Sequence, residues 1–87
     1  MISSVESIKA RLTHNFDTIS VRGSQRAVFL FIEHCGSAIE LSADNGKWWI
    51  EFWDCSSDDD APPTKELTVD SDEMAIAAIE EWLILSN

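Results

Sequence analysis

The sequence predicts an α+β domain: an N-terminal helix, a four-stranded antiparallel meander with room for a short fifth strand, and a C-terminal helix. Three observations carry this. Apolar residues recur at helical spacing near both ends of the chain. Three glycine-centred turn signals divide the middle. The segments between those turns are rich in β-branched and aromatic residues. The only large apolar surface open to the two helices is the sheet, so both are expected on one of its faces.

The first helix is expected over residues 4–14. Ser3-Ser4-Val5-Glu6 has the form of a capping box, and Val5, Ile8 and Leu12 make one apolar stripe before His14-Asn15. Strands follow at Phe16–Arg22, Arg26–His34, Ser37–Ala43 and Lys47–Cys55. Their turns centre on Gly23-Ser24, Cys35-Gly36 and Asn45-Gly46. Asn-Gly is the strongest of these signals, because a type I′ turn needs positive φ at both central residues. "SSDDDAPP", residues 56–63, reads as a polar loop, since two prolines do not fit a central strand. Lys65–Val69 could add the fifth strand, with Leu67 and Val69 facing in. Asp70 or Ser71 then caps a helix over about residues 72–85, with Ala75, Ile76, Ile79, Trp82 and Leu83 as its apolar stripe.

Turn register assigns the faces. Two-residue loops at Asn45-Gly46 and Cys35-Gly36 set Ile39 opposite Phe52 and Ile32, and Leu41 opposite Ile50 and Leu30. A two-residue loop at Gly23-Ser24 sets Ile19 opposite Val28 and Phe16 opposite Phe31. All three put aliphatics on one core face, together with Trp48. The other face carries Phe29, Phe31, Trp49 and Trp53, with Phe16 in the same row as Phe31. Strand three contributes only Ala38, Glu40 and Ser42 there. Small residues between bulky ones predict a shallow trough with aromatic walls. Glu40 and Glu51 lie opposite one another on its floor, with Glu33 diagonal to them.

Composition bounds what this surface can do. The 87 residues make one domain, residues 1–87, and 45% of them are apolar, enough for a folded core. The net charge is −10. Residues 1–43 balance four basic residues against four acids, while residues 44–87 set two lysines against twelve acids. Nucleic acid needs a basic footprint and is therefore not expected as a ligand. No apolar run reaches the length of a membrane span, and no basic segment precedes an apolar one near the N-terminus. The expectation is a cytoplasmic protein without membrane contact.

Motifs for catalysis or metal binding are sparse. Glu40 and Glu51 could couple as an acid/base pair, but the face adds no histidine or nucleophile. His34, Cys35, Asp54 and Cys55 gather at one end of the meander. Strict alternation turns the cysteines outward and His34 and Asp54 inward, which speaks against a shared metal. The two cysteines, about 9–10 Å apart across strand three, exceed the reach of a disulfide and read as free thiols. Asp58-Asp59-Asp60 lacks the spacing of a calcium loop. No cofactor is expected.

The functional expectation is a non-enzymatic, adaptor- or inhibitor-like interaction module. Its partner surface comprises Phe29, Phe31, Glu33, Glu40, Trp49, Glu51 and Trp53, and its partner is a protein, a basic one fitting best. The alternatives are a homodimer burying the same face and a small enzyme using Glu40 and Glu51.

Overall fold

A computed structural model of the protein describes residues 5–12, 15–23, 28–55 and 61–85. Helix α1 spans Val5–Arg11. Strands β1 (Thr18–Arg22), β2 (Phe29–His34), β3 (Ser37–Asp44), β4 (Lys47–Trp53) and β5 (Lys65–Val69) follow. Helix α2, Asp72–Glu80, runs on into a π-helical turn at Glu81–Leu85. The five strands form one antiparallel sheet in the order β1-β2-β3-β4-β5.

The two tight hairpins have the register their turn residues dictate. Asn45 and Gly46 hold φ of 51° and 81°, and Cys35 and Gly36 hold 52° and 85°. These are the positive values a two-residue hairpin loop needs. Ile39 therefore pairs with Phe52 and Ile32, and Leu41 with Ile50 and Leu30. At Gly36 a side chain would be strained on two counts. Its φ is left-handed, and a Cβ there would meet the Cβ of Cys55 at 3.2 Å.

The first hairpin departs from the two-residue reading. Ile19 pairs with Ile32 rather than Val28, and the connection between Arg22 and Phe29 is longer. The slide is an even number of residues, so Ile19 and Val21 keep their face. The aliphatic pattern alone could not distinguish the two registers. The longer loop lets β1 pair along β2 from Glu33 to Phe29. Phe16 then falls outside the strand and off the outer face. It is buried, with its ring edge-to-face on His34 at 5.6 Å. Strand β4 stops at Trp53, two residues short of the expected end, and helix α1 is shorter than residues 4–14. Leu12 N–H donates to the Lys9 carbonyl at 3.2 Å, a tight closing turn. Ser3, His14 and Asp58-Asp59-Asp60 lie outside the described residues.

The inward side chains form one core. Ile8 of α1, Leu30, Ile32, Ile39, Leu41, Ile50 and Phe52 of the sheet, and Ile79 and Leu83 after β5 share a single buried cluster. Each such side chain contributes roughly 1.5–3 kcal/mol on burial. Val69 is buried and Leu67 half-buried against the same cluster, so β5 is a full member of the sheet.

Directional contacts then fix the helices. Ser71 is the N-cap of α2, its hydroxyl accepting from Met74 N–H at 3.2 Å. Trp48 Nε1 donates to Asp72 Oδ1 at 2.8 Å, tying the helix start to β4. Arg11 at the end of α1 reaches Asp72 at 3.6 Å and Glu73 at 3.3 Å. In the π-helical turn, Trp82 packs in a tilted contact on Phe52, ring centroids 5.2 Å apart, and its Nε1 donates to the Trp53 carbonyl at 3.0 Å. Among the described residues, no helix is long and apolar enough to cross a membrane.

Candidate functional site

With both helices packed on the inner face, the outer face of the sheet remains. Its central row runs Ser20, Phe31, Glu40, Glu51, Glu66 across all five strands. To one side lie Ser42, Trp49 and Thr68, and to the other Thr18, Glu33, Ala38 and Trp53. Three glutamates on three adjacent strands thus share one row. Glu66 was not among the expected site residues. The signal for it was present in Leu67 and Val69, whose inward facing forces Glu66 outward by alternation.

Glu51 occupies the middle of that row and titrates above the ordinary carboxylate value of 4.5. Partial burial between the neighbouring side chains is the main cause, followed by repulsion from Glu40 and then from Glu66. Like charges directly opposite one another cost stability in a sheet. No described basic residue bridges the row: Arg22 lies over the face of Phe31, 4.1 Å from its centroid, with its Nε on the Ser20 hydroxyl at 3.0 Å.

A trough lies beside this row, narrower than the expected one, since neither Phe31 nor Trp53 lines it. It has a volume of about 500 Å³, with Phe29 and Trp49 as walls and Ser42 on the floor. Glu40, Glu51 and Asp44 also line it. Trp49 is 36% exposed, the only tryptophan among the exposed large apolar side chains. The four outer aromatics are therefore not equivalent. Phe29 and Trp49 frame the trough. Phe31 lies under a guanidinium. Trp53 is half-buried, with its Nε1 donating to the Ala61 carbonyl at 2.9 Å, so it anchors the segment leading to β5. Glu33 is exposed at the far end of β2 and does not reach the trough.

At that far end, the alternation argument for the cysteines fails locally. Cys35 belongs to the turn rather than to a strand, and its positive φ turns it out of the alternating pattern. Its sulfur lies within 4.8 Å of donor atoms of both His34 and Asp17. Asp17, not Asp54 or Cys55, completes this group. Sequence reasoning missed it because the register of β1 decides which residue reaches the β2–β3 turn.

The chain matches no known family model, no curated protein and no solved structure.

Proposed function

We propose that the protein is a non-enzymatic interaction module whose outer-face trough receives a basic side chain from a protein partner. The observation that carries this reading is the row Glu40, Glu51, Glu66 beside the exposed indole of Trp49. An arginine or lysine inserted there would offset the repulsion that lifts Glu51 and would lie against an aromatic face. Arg22 on Phe31 makes the same kind of contact within the chain, two strands from Trp49. A second copy of this protein fits less well, because two such rows would bring like charges together across the seam.

The test uses a short arginine-containing peptide as probe, followed by amide chemical shifts of the full chain. Shifts should centre on β3 and β4, and Trp49→Ala should weaken binding at least about tenfold, as loss of an aromatic anchor does. Glu51→Gln should weaken it as well, while Glu73→Gln, on the other side of the sheet, should leave it unchanged. Equal binding by wild type and Trp49→Ala would refute the trough as the site. Trp53→Ala is a poor probe, since it also frees the segment held by Ala61.

A further inference from the structure

Three side chains of different chemistry meet at the β2–β3 turn, at the opposite end of β3 from the trough. Asp17, His34 and Cys35 each offer one donor atom, and these atoms lie within 4.8 Å of one another. The group is held in place on two sides. Cys35 N–H donates to Asp17 Oδ2 at 3.0 Å, which leaves Oδ1 facing His34 Nδ1 at 3.7 Å. The His34 ring is fixed by the edge-to-face contact with Phe16, at an interplanar angle of 86°.

The choice of residue at position 35 is itself informative. Cys35 has φ of 52° at the first central position of the hairpin loop. The other tight hairpin fills the equivalent position with Asn45 at φ of 51°. Asparagine and glycine suit this conformation, and cysteine has no such preference. A thiol is therefore held in a left-handed conformation beside an imidazole and a carboxylate, and residues kept in sparsely populated conformations concentrate at functional sites.

We propose that Asp17, His34 and Cys35 bind Zn²⁺ or a similar borderline-soft divalent ion. The donor set of one oxygen, one nitrogen and one sulfur suits zinc and disfavours Mg²⁺ and Ca²⁺, which take oxygen ligands. Bond lengths of about 2.0–2.3 Å in a tetrahedral site bring donors to roughly 3.3–3.8 Å from one another. The Asp17–His34 separation already fits. The remaining closure falls to the side chains of Asp17 and Cys35, both exposed. Cys35 would bind as thiolate, its proton passing to solvent, and the fourth position would be left to water.

The experiment uses the full chain, kept reduced with a thiol-free reductant. Zn²⁺ is titrated calorimetrically, and Co²⁺ serves as the spectroscopic probe for a sulfur ligand. The expected result is one equivalent bound with a Kd of about micromolar or tighter, and a thiolate-to-cobalt charge-transfer band. Cys35→Asn should fold normally, since it copies the other hairpin, yet lose the band and at least about tenfold in Zn²⁺ affinity. Asp17→Asn should weaken Zn²⁺ similarly, and Cys55→Ser should change neither readout. Absence of the band in the wild type would overturn the proposal. So would a Zn²⁺ affinity in Cys35→Asn within twofold of wild type, or a band that disappears with Cys55→Ser.

Discussion

Glu51 shows how one residue can be legible in position and illegible in consequence. Its place opposite Glu40 followed from the Asn45-Gly46 turn alone. Its second neighbour, Glu66, came from the pairing of β5. Because its carboxyl titrates above 4.5 in the folded protein, the folded state holds its proton to higher pH than the unfolded chain does. Stability from this group therefore falls as pH rises above 4.5 and through its raised folded-state value. Glu51→Gln should stabilise the protein at pH 7 by on the order of 0.5 kcal/mol, the scale of a cross-strand pair. That gain should vanish below about pH 4.5, and denaturant unfolding at the two pH values checks it. An equal gain at both would mean that the charge of Glu51, buried and repelled by its neighbours, is not its source.

At the scale of elements, the helices depend on apolar burial for their existence and on a few polar contacts for their placement. Asp72 does three things at once. It follows the Ser71 cap, accepts from Trp48 and faces Arg11. Glu73 faces the same arginine from a largely exposed position. Asp72→Ala should therefore cost about 1–2 kcal/mol, because it leaves the indole N–H of buried Trp48 without this acceptor. Glu73→Ala should cost no more than about 0.5 kcal/mol, as exposed ion pairs do. Thermal unfolding of the two variants side by side measures the difference. The stripe of α2 was readable from spacing, whereas the Trp48–Asp72 contact was not. It joins residues 24 apart in sequence, brought together only by packing.

For the molecule as a whole, the net charge of −10 works against compactness. Twelve of the sixteen acids lie in residues 44–87, against two lysines. Screening should relieve this. The unfolding midpoint should rise between roughly 0.01 M and 0.5 M NaCl, as the Debye length falls from about 30 Å to a few Å. A midpoint that falls with salt would mean that the ion pairs of Arg11 and Lys47 outweigh the general repulsion.

The sequence by itself determined the α+β class, the order of elements, the registers of the two tight hairpins and the division of the aromatic strand Lys47–Trp53 between two faces. These are local properties. Glycine-containing turns set which residues oppose one another, and a period of two sets which side each takes. The tertiary structure decided what locality cannot reach. The register of β1 depends on a longer loop and on burial that is indifferent to an even slide, so Phe16 left the outer face and Asp17 came to Cys35. Trp53 was tied to Ala61, and Trp49 was left as the exposed wall of the trough. Alternation states which way a side chain points, but only packing against distant segments decides whether anything covers it.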